Sequence, residues 1–345
     1  MNSSSRSKGA ESFVVSLPIA LLLSATFAAD PSAQDDTLAL VRHFEAAAEG
    51  TVSSWSEPAK FAPVVGDTIA LMGGVSVFDM QMSGFFETRL HRQFPDLGLK
   101  VRNIAWQADT VHRQQRPMFF YTKQGDTREG SVPDQRQKLD PGILVLRFGK
   151  MESLKGGDAL PEFVAAYGRL LDALSSHSKR IVLVAPEPFF AVGPAGELAA
   201  ERNQVLESYV NAIEEMAAAR GFLFADLFHP LLSEPAEVMS RTGVDLTQEG
   251  QQRVADVLAD ALVLEPVPET DPDLDEKVRE LVLAKNQLWH QYYRPTNWAF
   301  LFGDRQHVPS SRDHRDANRR WFVEELNRLP GLIAEVEKEI DSTLP

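Results

Sequence analysis

Asp67-Thr-Ile-Ala-Leu-Met-Gly73 is the stretch of sequence that decides the fold. It is a short apolar run that ends in two glycines, Gly73 and Gly74, and residues 76–94 behind it have the apolar spacing of a helix. The stretch therefore predicts a strand, a tight turn and a helix. In open α/β sheets, ligands bind beyond the carboxyl ends of the strands, so the turn at Gly73 is a candidate site.

The rest of the core alternates between strand and helix patterns. Strands are predicted at 142–148, 180–185 and 222–226, and helices at 160–175, 197–220 and 247–262. Apolar strands of this kind are buried on both faces, which indicates a parallel sheet between two layers of helices. The turns at Gly73, Ala105, Gly149 and Pro186 then converge on one crevice.

Four blocks along this framework resemble, in their order and context, the secreted SGNH (GDSL-type) ester hydrolases. They are the turn Gly73-Gly74-Val75 and the segments 101–109, 144–152 and 242–250. The resemblance covers roughly residues 60–265. It implies an α/β three-layer sandwich with a parallel, flavodoxin-like sheet, and a site for acyl-ester chemistry.

The resemblance also implies that the functional positions of the family are occupied here by other residues. Those positions carry Val75 (family serine), Ala105 and Ala108 (glycines), Met151 (oxyanion-hole asparagine), Thr242 (aspartate) and Asp245 (histidine). An SGNH esterase needs a serine hydroxyl, a histidine to take its proton and an aspartate to orient the histidine. Valine has no hydroxyl and methionine donates no hydrogen bond, so the chain is predicted to be catalytically degenerate.

A relocated nucleophile is the alternative. Ser76 lies one residue past the nucleophile position, and Asp304 with His307 has the family's Asp-x-x-His spacing. If the tail folds over the carboxyl ends of the strands, His307 would act as the base for Ser76. Otherwise, Ser76 is a capping or first-turn serine, and Asp304 and His307 belong to a polar loop.

The crevice itself is expected to persist with or without catalysis. Its candidate lining residues are Gly73, Gly74, Asn103, Gly149 and Glu152. A further hypothesis is a new acidic site between Glu152 and Asp245, since both are carboxylates at block positions.

The beginning of the chain has the pattern of a secretory signal peptide. In residues 1–29, Arg6 and Lys8 precede an apolar run over 13–29 and small residues. This pattern predicts export, to a periplasm or beyond the cell, and no membrane span once the signal is cleaved. An uncleaved anchor is the alternative, although the apolar run is short for a spanning helix.

Composition limits the partners. The 345 residues carry a formal net charge of −14, and so acidic a surface repels polyphosphate, which argues against nucleic acid. There is no cysteine, hence no disulfide framework and no thiolate metal site. We expect no metal and no cofactor.

Four regions are predicted: a signal segment at 1–29, an N-terminal helix and linker at 30–60, the hydrolase-like domain at 61–265, and a linker with a helical C-terminal extension at 266–345. In the extension, residues 285–289 and 294–304 look like the tail of a subgroup found in planctomycete-type bacteria. Its aromatic residues between Trp289 and Phe302 are expected to pack the tail onto the core, or else to stack on a sugar.

The resulting functional hypothesis is a secreted, degenerate hydrolase-like protein whose crevice binds a carbohydrate or an acyl ester. Two alternatives remain open. The first is an active acyl-ester hydrolase with a relocated nucleophile, and the second is a structural or assembly protein of the cell envelope.

Overall fold

The computed structural model describes residue 44 and residues 52–56, 59–114, 139–264, 271–301 and 305–345. The predicted signal segment lies outside the described residues, as does the predicted N-terminal helix apart from Phe44. Strands in the described ranges form one five-stranded parallel sheet in the order β2-β1-β3-β4-β5. They are β1 (Thr68–Gly73), β2 (Lys100–Asn103), β3 (Ile143–Arg147), β4 (Ile181–Val184) and β5 (Leu223–Ala225).

Helices cover both faces and the C-terminal region. Those of the core are α1 (Val75–Ser83), α2 (Phe85–Gln93), α3 (Lys150–Ser153), α4 (Leu160–Leu174), α5 (Ala199–Arg220), α6 (Phe228–Leu231), α7 (Ala236–Met239) and α8 (Gln248–Ala261). Those of the extension are α9 (Pro272–Tyr293), α10 (Trp298–Leu301) and α11 (Trp321–Thr343). Short 3₁₀ turns lie at Pro95–Leu97, Gly157–Ala159, Gly193–Leu198 and Pro309–Ser311.

The strands are apolar on both faces because both faces are buried. In β1, Ala70 and Met72 pack in one core cluster with residues of α4 and α5, whereas Ile69 and Leu71 pack in the other with residues of α2 and α8. This alternation follows from the two-residue period of a strand. The predicted α/β fold, a parallel flavodoxin-like sheet between helical layers with a helical C-terminal region, is confirmed.

The helix predicted over 76–94 is broken in two at Gly84. This glycine has a left-handed backbone (φ 72°), ends α1 and begins α2. A Cβ at this position would lie 3.2 Å from Cγ1 of Val282 and 3.3 Å from Cδ2 of Leu283. The break therefore lets α9 of the extension approach the core closely, a packing constraint that the apolar spacing does not reveal.

The extension covers the exposed edge of the sheet. β2 is an edge strand, and side chains on one face of α9 donate hydrogen bonds to its outward carbonyls and to the residue after it. Lys285 Nζ binds Val101 O (3.0 Å), Trp289 Nε1 binds Asn103 O (2.7 Å) and Tyr293 OH binds Ile104 O (3.2 Å). Their spacing of four residues places them on one helix face, so α9 takes the place of a further strand.

The predicted packing of the aromatic tail onto the core is seen for Trp289 and Tyr293. Trp289 and Tyr293 are buried and stack with ring centroids 5.5 Å apart and an interplanar angle of 11°. Both belong to the same core cluster as Met72 of β1. Trp298 is exposed, and Phe302 lies outside the described residues.

A buried ion pair joins α9 to the core. Lys285 Nζ lies 2.5 Å from Glu87 Oε1 of α2, and both side chains are almost fully buried. Removing one partner of a buried pair leaves the other charge uncompensated, at a cost of about 3–5 kcal/mol.

We therefore predict that Lys285→Met lowers the free energy of unfolding by about 3–5 kcal/mol in urea titrations. Lys277→Met, which removes an exposed lysine of the same helix, should change it by about 0.5 kcal/mol or less. The double variant Glu87→Gln/Lys285→Met should recover part of the loss, because no charge is left unpaired. Equal small effects of Lys285→Met and Lys277→Met would contradict the role given to this pair.

Candidate functional site

A small crevice lies beyond the carboxyl ends of β1, β3 and β4, where the parallel sheet predicts it. Its walls come from the start of α1, the segment 147–152, the loop after β4 and the segment before α8. It encloses about 30 Å³. That volume holds roughly one or two water molecules.

The turn after β1 is closely packed. A Cβ at Gly73 would lie 2.5 Å from the backbone oxygen of Arg147, and a Cβ at Gly74 would lie 3.2 Å from that of Asp109. Glycine is thus required for the ends of β1 and β3 to meet. α1 then begins with Val75, which lines the crevice, followed by Ser76, which also lines it.

Asn103 was expected in the crevice, but it does not line it. Its Nδ2 donates to the backbone oxygen of Val77 (2.6 Å), and its Oδ1 accepts from the backbone nitrogen of Ala105 (3.1 Å). Ala105 is buried and Ala108 exposed. In the described ranges, Val263 is the one non-glycine residue with a positive φ, so neither Ala105 nor Ala108 has one. The backbone therefore accommodates both alanines without strain.

Glu152 lines the crevice, but its carboxylate is engaged. One oxygen accepts from the backbone nitrogen of Gly149 (2.9 Å) and the other from that of Val111 (2.8 Å). This caps α3 and ties it to the loop after β2. Glu152 therefore has a structural role as a cap, and the acidic site hypothesised with Asp245 stays a prediction. Next to it, Met151 lines the crevice and is 46% exposed.

The loop before α8 holds Thr242 and Asp245 in contact. Thr242 Oγ1 donates to Asp245 Oδ2 (3.2 Å) and accepts from the Asp245 backbone nitrogen (2.9 Å). Ser240 Oγ stabilises the turn by accepting from Gly243 N (2.9 Å) and donating to Asp245 O (2.7 Å). Asp245 is exposed and lines the crevice.

A charged cluster forms the floor of the crevice. Lys150 Nζ donates to Glu187 Oε1 (2.9 Å) and to Pro188 O (3.2 Å), and Arg147 Nη1 lies 3.7 Å from Glu187 Oε2. Glu187 is fully buried and Arg147 is 5% exposed. Burial by itself would raise the pKa of Glu187, but Lys150 and Arg147 outweigh it and lower the pKa to about 2.

Asp79 adds a half-buried carboxylate to this floor. Burial raises its pKa, Asp245 and Glu187 raise it further, and Arg147 opposes the rise. Sequence reasoning missed Asp79, Arg147, Lys150 and Glu187. The available signal was the arginine and lysine at an otherwise apolar strand end, Leu144-Val-Leu-Arg-Phe-Gly-Lys150, which marks basic groups beside a buried site.

The structure does not bring the proposed relocated triad together at the crevice. Ser76 lines it, whereas His307 is exposed in the extension and is not among the lining residues. Asp304 lies outside the described residues. Among the described residues, no histidine lines the crevice.

An Asp–His hydrogen bond does occur elsewhere. Asp226 Oδ2 lies 2.7 Å from His229 Nδ1 after β5, a pair with the same Asp-x-x-His spacing. Asp226 also accepts from the backbone nitrogens of Phe228 (2.8 Å) and His229 (3.2 Å), so it caps α6. The pair does not line the crevice.

Within the described ranges, no group of three or more histidine and carboxylate side chains is arranged to hold a metal ion. No helix there is both long and apolar enough to span a bilayer.

Comparison with known proteins gives a family and a fold. The family model described as "GDSL-like Lipase/Acylhydrolase family" matches residues 64–253. No curated protein sequence matches the chain. Among solved structures, a gut microbial diltiazem-metabolizing enzyme is similar over 82% of this chain and 96% of its own, at 12% identity and a TM-score of 0.53. At this identity the likeness shows a shared fold.

An acetylxylan esterase from Geobacillus stearothermophilus is also similar. It covers 59% of this chain and 96% of its own chain, at 14% identity and a TM-score of 0.41.

The lowered pKa of Glu187 predicts an acid-sensitive contribution to stability. The unfolded carboxyl titrates near 4.5 and the folded one near 2, so the contribution is complete above about pH 4.5 and is lost as the pH falls towards 2. The loss amounts to roughly 3 kcal/mol. In urea titrations, the stability difference between wild type and Glu187→Gln should therefore shrink over this range. The exposed control Glu201→Gln should run parallel to wild type. A Glu187→Gln curve that also stays parallel would refute the assignment.

Proposed function

The chain belongs to the GDSL-like lipase/acylhydrolase family, and we propose that it is a secreted member that has lost ester hydrolysis and keeps its crevice as a binding site. The proposed ligand is a carbohydrate or its acyl ester. In either case, we expect the crevice to bind the carbohydrate and not the acyl chain. The degenerate positions, rather than the fold, define what this member does. The extension resembles that of the planctomycete-type secreted subgroup.

One observation carries the proposal. The crevice is lined by Val75, Met151 and Asp245, which the sequence resemblance aligns with the family's nucleophile, oxyanion donor and base, and no histidine lines it in the described part of the chain. Loss of a triad serine or histidine costs on the order of a million-fold in turnover. Loss of one oxyanion-hole donor typically costs about a hundred- to a thousand-fold. Losses of that combined size leave no useful ester hydrolysis.

The size of the crevice supports a carbohydrate edge over an acyl chain. Its volume of about 30 Å³ is far below the roughly 300–1,000 Å³ of sites that engulf a ligand. Its floor is charged, with Arg147, Glu187 and Asp79. The crevice is too small to take in an acyl chain, whereas the polar groups of its floor can bind an edge that carries hydroxyl groups.

Secretion is supported by the sequence alone. The basic residues, apolar run and small residues of the first 29 positions have the order of a signal peptide. Carbohydrates are abundant outside the cytoplasm, so export and the proposed ligand class agree.

Each alternative has one observation in its favour. Ser76 lines the crevice, which favours a relocated nucleophile. The small volume favours the envelope structural protein, for which a filled-in crevice is expected. The two experiments below separate the first alternative from the proposal, and ligand binding separates the second.

We predict that the mature chain, residues 30–345, hydrolyses a short-chain aryl acetate no faster than buffer. Ser76→Ala and the control Ser83→Ala, a serine at the far end of α1, should match wild type. The measurement is the release of the aryl alcohol over time. Turnover by wild type that Ser76→Ala abolishes and Ser83→Ala preserves would show that the nucleophile has moved to Ser76.

Restoring the family residues should restore activity if their loss is the cause. We expect Val75→Ser/Met151→Asn/Thr242→Asp/Asp245→His to hydrolyse the same ester at least about tenfold faster than wild type. Val75→Ser alone should stay at background, because triad residues act as a unit. Side chains at 242 and 245 already meet, as the 3.2 Å hydrogen bond between Thr242 and Asp245 indicates. A folded quadruple variant without activity would mean that other residues, such as the Arg147 cluster, also block catalysis.

A further inference from the structure

The guanidinium of Arg147 has hydrogen-bonding capacity that the described residues do not use. Its Nε, Nη1 and Nη2 are buried and have no hydrogen-bond partner among the described residues. The contact to Glu187 Oε2, at 3.7 Å, is an ion pair too long for a hydrogen bond. Arg147 borders the crevice at the end of β3. A buried guanidinium left without acceptors is costly, so a partner in the crevice is expected.

The same floor contains unused acceptors. Glu187 Oε2 and Gln251 Oε1 are buried without a hydrogen-bond partner in the described part of the chain, and both residues line the crevice. Asp79 adds a half-buried carboxylate to the floor, and Asp245 adds an exposed one. The space of about 30 Å³ is therefore lined both by unsatisfied donors and by unsatisfied acceptors.

This balance selects the chemistry of the ligand. An anion offers acceptors only, so it would satisfy Arg147 but face the carboxylates of Asp79, Glu187 and Asp245. Lys150 offsets the charge of Glu187, which its Nζ binds together with Pro188 O, but the carboxylates of Asp79 and Asp245 remain. A hydroxyl group both donates and accepts. Two neighbouring hydroxyls can accept from the planar fork of Arg147 and donate to the carboxylates and to Gln251.

We infer that the crevice floor is a subsite for a vicinal diol of an uncharged sugar. Arg147 donates hydrogen bonds to the two hydroxyl oxygens. The hydroxyl groups in turn donate hydrogen bonds to Asp79, Asp245 and Gln251. The inference rests on the proposed function and deepens it. In this subsite, the residues that select the ligand are Arg147, Asp79, Gln251 and Asp245. Only Asp245 stands at a position that the sequence resemblance assigns to catalysis.

The test is a ligand-observed NMR titration of the mature chain with methyl glycosides of glucose, galactose, mannose and xylose. The methyl glycoside of glucuronic acid supplies an anion of matched shape. The per-O-methyl form of the best-binding glycoside keeps the ring but removes the hydroxyl donors. We expect at least one neutral glycoside to bind, its glucuronic acid counterpart to bind more weakly, and its per-O-methyl form not to bind.

The variants locate the site. Asp245→Asn removes an exposed carboxylate at low risk to folding, and Arg147→Lys keeps the charge beside Glu187 while removing the fork. Each should weaken binding about tenfold or more. Asp158→Asn, an exposed carboxylate away from the crevice, should bind like wild type.

The outcomes separate this inference from the proposed function. Tighter binding of the glucuronic acid glycoside, full binding of the per-O-methyl form, or wild-type binding by Asp245→Asn and Arg147→Lys would overturn the diol subsite while leaving a carbohydrate-binding protein. If no glycoside binds, both the subsite and the carbohydrate-binding function are wrong.

Discussion

A charged group that leaves water has to find a partner, and at the carboxyl end of this sheet three charged groups do so together. Lys150 and Glu187 form a 2.9 Å ion pair, with Arg147 beside them. Arg147 is the last residue of β3, Lys150 follows it, and Glu187 lies after the neighbouring strand β4. The cluster therefore joins the ends of two strands at the floor of the crevice. Lys150 and Arg147 together outweigh the cost of burying Glu187, so loss of either cation would leave this carboxylate poorly compensated. The cluster therefore fixes the floor of the crevice and limits its volume.

The same crevice depends on the C-terminal extension through a chain of hydrogen bonds. Trp289 of α9 donates to the backbone oxygen of Asn103, and the side chain of Asn103 donates to Val77 O in α1. α1 carries Val75 and Ser76 into the crevice at its first turn. The break at Gly84 allows α9 to pack closely enough to complete this chain. The extension thus closes the edge of the sheet and also holds the helix that lines the crevice.

The sequence predicted the fold well because strand burial, glycine turns and helix periodicity are local signals. Apolar strands buried on both faces leave few arrangements other than a parallel sheet. The site was predicted less completely because its contacts join distant residues. Nothing local marks Glu187 as the partner of Lys150, 37 residues away. Likewise, Asn103 and Glu152 were both predicted to line the crevice, but only Glu152 does, and only the structure shows that both side chains bind backbone groups.

We infer that no activated serine remains in the crevice. This is tested by the intact mass of the mature chain after incubation with a fluorophosphonate, which phosphonylates a serine activated by a neighbouring base. We expect an unchanged mass for wild type and an added phosphonyl group for the Val75→Ser/Met151→Asn/Thr242→Asp/Asp245→His variant. A wild-type adduct that maps to Ser76 would contradict it and would make the protein an active serine hydrolase with a displaced nucleophile.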